Sequence, residues 1–151
     1  KSDLAKALPA GLDITDVYTE KDTPLAKFSS IGWSEYSIEI MTRGANGVLA
    51  VECERLLTKS PLNITKKSKS GEREIDLAAM IGRADIKFDD NAGVIRINVL
   101  LPADSANFIN PELIVRALAE SIGILSGDIM SEYYTILRTQ LYFGDRVTVF
   151  G

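Results

Sequence analysis

The chain has 151 residues, 46% hydrophobic and 25% charged, which is enough apolar material for the core of one domain and too much for a disordered segment. Its formal net charge of -4 excludes a surface that is basic throughout, so any hold on nucleic acid has to come from a local patch. With no histidine and a single cysteine, Cys53, the chain contains no Ser–His or Cys–His catalytic pair, no internal disulfide and no Cys/His metal cluster, and a reducing, cytoplasmic setting is expected.

Residues 1–8 read as the end of a helix, broken by Pro9 and Gly11. Residues 12–20 alternate as an N-terminal strand extension, and residues 23–31 suit a short helix with Thr23 as N-cap and Pro24 as its first residue. Residues 35–42 are a clearer strand, with Tyr36, Ile38 and Ile40 on one face. After a turn at Gly44 and Gly47, residues 48–58 form an amphipathic helix whose stripe is Leu49, Cys53, Leu56 and Leu57, which makes Cys53 a buried core thiol.

Pro61 ends that helix. Residues 63–69 and 72–77 flank Ser70 and Gly71 as a β-hairpin, and a helical turn follows over residues 76–81. A second hairpin joins residues 85–88 to 94–101 through the turn residues Asp89, Asp90, Asn91 and Gly93, which lack the spacing of a calcium loop. Asn110, Pro111 and Glu112 give a strong helix start, and Ile114, Val115, Leu118 and Ile122 form the stripe that ends at Gly123. Residues 133–143 are a long final strand, and residues 145–150 a short one.

From residue 35 the order is strand, helix, strand pair, strand pair, helix, strand. With one hairpin set aside this is βαββαβ, so the expected fold is α+β: a ferredoxin-like core with an extra hairpin and an N-terminal strand extension, in one domain over residues 1–151. Core strands are expected near residues 35–42, 62–68, 94–101 and 133–143, with helices near 47–58 and 111–122 on one sheet face. The chain opens on Lys1 without an initiator methionine and is read as the C-terminal portion of a longer one. No apolar run approaches the roughly 20 residues that span a bilayer, so no membrane partner is expected.

One charge feature is concentrated: Lys59, Lys66, Lys67, Lys69 and Arg73, interrupted only by Glu72. Cations on a projecting hairpin suit phosphate binding, and equally suit an edge kept free of aggregation. Aromatic side chains for base stacking are sparse in this part of the sequence. Asp76, between the hairpin and the helical turn, is placed to cap free backbone N–H groups. No catalytic residue, metal ligand or cofactor is assigned.

Residues 4–14 (LAKALPAGLDI), 35–40 (EYSIEI), 64–77 (ITKKSKSGEREIDL) and 138–142 (RTQLY) resemble the radical SAM-linked protein family, domain of unknown function 2344. The Lys-rich turn leading into Ile75 and Asp76 is the most specific piece, and Arg138 enters the candidate binding set through its motif. The resemblance implies a bacterial protein fused to, or encoded beside, a radical SAM protein. The chain resembles the C-terminal part of that family, without its upstream Ser-His-Leu-Asp-like stretch. It also lacks the cysteine triplet of a radical SAM enzyme. Three readings follow: an accessory module that recognises RNA for a radical SAM protein, a docking or dimerisation domain without a ligand, and part of an enzyme completed by an upstream segment. The candidate binding residues are Lys66, Lys67, Lys69, Arg73 and Arg138.

Overall fold

Two long strands lie side by side at the centre of a sheet. β1 (Ile31–Met41) pairs antiparallel with β5 (Val94–Pro102) on one side and with β6 (Tyr133–Phe143) on the other; β4 (Arg83–Asp89) pairs with the far side of β5. The structure is a computed structural model and describes residues 6–14, 26–59, 61–68, 71–127 and 130–150. Every neighbouring pair in the order β4-β5-β1-β6 is antiparallel, so β1 runs parallel to β4, and β5 to β6, each pair separated by one strand. Helix α1 (Gly47–Thr58) follows β1 and helix α3 (Glu112–Ile122) follows β5. These are two interleaved split βαβ units, compatible with the ferredoxin-like α+β plan. Between α1 and β4 the chain inserts the hairpin β2 (Asn63–Ser68) and β3 (Gly71–Asp76) and the single helical turn α2 (Leu77–Met80).

The inserted hairpin is not the expected one. Residues near 62–68 were to supply a core strand; β2 instead pairs with β3 alone, and β4 takes its place at the sheet edge. The physical reason is the number of apolar positions. β2 buries only Ile64, whereas β4 turns Ala84, Ile86 and Phe88 toward the core in strict alternation. The N-terminal strand extension is not seen at residues 12–14, and residues 15–20 lie outside the described residues. The helix expected over 23–31 reduces to a 3-10 turn at Phe28–Ser30, residues 23–25 lying outside the described residues. β1 starts at Ile31 rather than near 35; Gly32 within it allows a close backbone approach, since a Cβ there would stand 2.6 Å from the Gly144 Cα. The last segment makes a single β-bridge, Tyr142 to Val149.

Alternation on β1 and β5 sends Ile38, Ile40, Ile95, Ile97, Val99 and Leu101 to one face, where Cys53 and Leu57 of α1 and Ile114 and Leu118 of α3 meet them. Burial, together with the negative charge of Glu52, pushes the Cys53 thiol up to about 11, so it stays protonated at neutral pH and packs as a small apolar group. The opposite sheet face is open and ion-paired. Glu35 accepts from Arg83 at 2.5 Å and from the Tyr142 hydroxyl at 3.2 Å; Arg96 binds Glu39 at 2.8 Å and Asp89 at 3.1 Å.

One buried carboxylate ties the end of β1 to the loop before β6. Glu132 accepts from the Thr42 hydroxyl at 2.7 Å, from the Arg43 N–H at 2.6 Å, and from the Gly127 N–H. Those donors, the Arg43 N–H first, hold its carboxyl below the ordinary range. Gly127 leaves room for the clamp, since a Cβ there would stand 2.5 Å from the Glu132 Oε2.

Two outcomes are expected. Leu118→Ala removes a fully buried side chain from the centre of α3 and costs about 2–5 kcal/mol, read as a lower midpoint in urea. A depressed folded-state pKa means that Glu132 contributes stability above its unfolded-state pKa and loses it as pH falls through the folded value. Glu132→Gln is therefore less stable than wild type at neutral pH and loses less on acidification, so the two unfolding midpoints converge toward low pH.

Candidate functional site

The β2–β3 hairpin has no third strand among the described residues, so its position rests on side chains. At its base Asp76 Oδ1 accepts from the Leu62 N–H at 2.9 Å and from the Ala79 N–H at 3.4 Å, capping α2 while tying it to the start of β2. The Leu77 N–H donates to the Leu62 carbonyl at 2.8 Å, and Leu62 and Ile64 are buried. Farther out, two cations bridge the hairpin to neighbouring segments. Lys66 Nζ donates to the Phe108 carbonyl at 2.6 Å, and the Arg116 guanidinium, from α3, donates to the Thr65 carbonyl.

Between hairpin and helix lies a cleft of about 650 Å³, lined by Lys66, Lys67, Phe108, Arg116, Leu125 and Tyr134 among others. Apolar side chains and three cations, Lys66, Lys67 and Arg116, share its lining. Phe108 is 45% exposed and Tyr134 41%, so both offer ring surface. Arg73 stands directly across the hairpin from Lys66, which puts two like charges in register on one face, a pairing that disfavours the hairpin unless an anion lies near.

The acidic groups around the cleft distribute unevenly. Lys67 pairs with Glu72 at 3.0 Å and Arg116 lies 3.7 Å from Glu120, both on solvent-exposed side chains where such pairs contribute little. Glu112 lies in the lining at the first turn of α3, where the helix dipole favours it. Lys66 and Arg73 have no carboxylate within ion-pair distance among the described residues. Lys66 spends one donor on a neutral carbonyl rather than on a carboxylate.

Of the residues singled out in the sequence, Lys66, Lys67 and Arg73 belong to this hairpin, and Lys69 lies outside the described residues. Arg138 is not brought to the cleft. It sits on β6 opposite Tyr36, in a shallow depression with Thr139, Gln140 and Phe150. Arg116, Phe108 and Tyr134 were missed. Arg116 interrupts an otherwise apolar run in α3, which is the one sequence signal that marks it; the two aromatics come from segments remote from the hairpin.

A larger cleft of about 760 Å³ lies between the start of α1 and the end of α3, beside Thr42 and Glu132. The Glu132 carboxylate there is committed to three donors within the fold, and the exposed side chains of Val48 and Val51 make much of its rim apolar. Among the described residues no group of three or more His, Cys, Asp or Glu side chains gathers as a metal site would require, and no helix is long and apolar enough to cross a membrane.

The family model described as Uncharacterized protein conserved in bacteria (DUF2344) matches residues 1–111, which takes in the hairpin and Phe108 and stops short of α3. Neither the curated proteins nor the solved structures give a match.

The hook at the base of the hairpin is open to test. Asp76→Ala removes the acceptor shared by Leu62 and Ala79 and costs about 0.5–2 kcal/mol, whereas Asp76→Asn, whose amide oxygen still accepts, costs less; urea titrations of the two variants measure the difference.

Proposed function

The chain belongs to this family of uncharacterised bacterial proteins, and we propose that it is a recognition module that holds single-stranded RNA in the cleft between the β2–β3 hairpin and α3, on behalf of a radical SAM protein in the cytoplasm. The observation that carries the reading is the meeting of Lys66 and Arg116 with the half-exposed rings of Phe108 and Tyr134 around one cleft. Single-stranded nucleic acid needs cations for its backbone and flat apolar surface for its bases, and base–aromatic stacking tolerates any sequence. Lys66, Arg73 and Arg116 are the phosphate contacts in this reading, and Phe108 and Tyr134 the stacking platforms.

The open sheet face suits RNA less well. Its central strand carries Glu35 and Glu39, and Arg83 and Arg96 there already hold carboxylates. The radical SAM partner comes from the resemblance of residues 64–77 and 138–142 to the family linked to such proteins.

Fluorescence anisotropy with a short labelled single-stranded RNA, across a salt series, tests the reading. Three cation–phosphate contacts give a slope of log affinity against log salt of about −2, and loss of one contact lowers its magnitude by about 0.7. Arg73→Ser therefore weakens binding and flattens the slope, whereas Phe108→Ala weakens binding at unchanged slope. Absence of binding at low salt, or a Lys66→Ser/Arg73→Ser variant with wild-type affinity and slope, overturns the reading.

A further inference from the structure

The two edges of the main sheet differ in kind. β4, one outer strand, alternates charge along its length with Arg83, Asp85, Lys87 and Asp89, the pattern that keeps an edge from pairing with foreign strands. β6, the other, has Arg138 as its single charged residue and contains no lysine, proline or glycine. The returning chain covers its last turn of strand: Phe143 N–H donates to the Thr148 carbonyl at 3.0 Å and Phe150 N–H to the Leu141 carbonyl at 2.9 Å. Residues 133–140 have no strand on their outer side among the described residues. Tyr133 is 48% and Leu137 66% exposed there.

We propose that this edge pairs antiparallel with the same edge of a second copy of the chain, joining two four-stranded sheets into one across a two-fold axis. A long unguarded edge is a template for another strand, and an isologous contact between identical edges closes on itself. The free length selects the register. Pairing centred on Ile136 sets Tyr134 opposite Arg138 of the second copy, twice, and Thr135 opposite Leu137. It ends at Arg138, opposite Tyr36, just short of the irregularity between Tyr36 and Glu35. Centring on Leu137 would push Tyr133 against Leu141, where the returning chain already sits. Centring on Arg138 would oppose two like charges.

The pairing stands without the RNA reading, but it has a consequence that rests on that reading. Tyr134 and Arg138 lie opposite Ile40 and Tyr36, two buried residues of the helix-covered face, so both are on that face of β6. Tyr134 also lines the cleft. The second copy therefore delivers its Arg138 to the rim of the first copy's cleft, as one more cation beside an aromatic platform.

Sedimentation equilibrium of the chain, with and without Leu137→Lys, tests the pairing, and the RNA titration tests its consequence. Leu137 is on the open face and away from the core, so its replacement leaves the monomer able to fold, and any fall in thermal midpoint is the part that dimerisation contributed. Wild type is expected to sediment as a dimer, and Leu137→Lys as a folded monomer whose RNA affinity falls severalfold. Arg138→Ser is expected to remain dimeric and to lose the same RNA affinity. A wild type that stays monomeric through the micromolar range, or a Leu137→Lys variant that dimerises equally well, overturns the pairing. A dimer whose RNA affinity ignores both substitutions overturns the delivery of Arg138 and leaves the pairing in place, and a dimer that binds no RNA at all overturns the cleft reading alone.

Discussion

Two hydrogen bonds from cations to carbonyls, Lys66 to Phe108 and Arg116 to Thr65, hold the hairpin against α3 and the segment that leads into it. A two-stranded hairpin is marginal in water by itself, and this one adds no strand to the main sheet. Leu62, Ile64 and Asp76 anchor its base; the two cations fix its outer half. Their partners are neutral, so the bonds that place the hairpin leave its charge in being. A carboxylate in either position would hold the hairpin equally well and cancel the field at the cleft.

The open sheet face is built differently. There Arg83 pairs with Glu35, and Arg96 with both Glu39 and Asp89. Those exposed pairs contribute little to stability, and each offsets charge on that face. Against a chain whose formal net charge is -4, the anionic partner proposed above would be drawn to the hairpin cleft, where cations converge with few carboxylates among the described residues.

The fold was largely legible in the sequence because periodicity reports burial. The stripe of Ile114, Val115 and Leu118 marks α3, and alternation of Ile95, Ile97, Val99 and Leu101 marks β5, since each pattern is the imprint of one buried face. Which of two hairpins is the inserted one was not legible from turn signals; the count of alternating apolar residues, one in β2 against three in β4, decides it. The start of β1 was not legible because Ile31, Gly32 and Trp33 lack the alternation that marks residues 35–42, and Gly32 serves a close backbone contact with Gly144 that no local pattern encodes. The cleft was legible only on its hairpin side. Phe108 and Arg116 reach the hairpin across 42 and 51 residues of sequence, and no local pattern encodes such contacts.

The central claim is that the hairpin and α3 together form a binding surface for an anionic, base-bearing strand. The most direct measurement is a two-dimensional amide NMR titration of the isotope-labelled chain with a short single-stranded RNA. The account predicts saturable shifts confined to residues 64–75, to Phe108 and the first turns of α3, and to Tyr134, with the open-face residues Ser37, Glu39 and Asn98 unmoved. Shifts centred on those open-face residues, or a spectrum that RNA leaves unchanged, would contradict it.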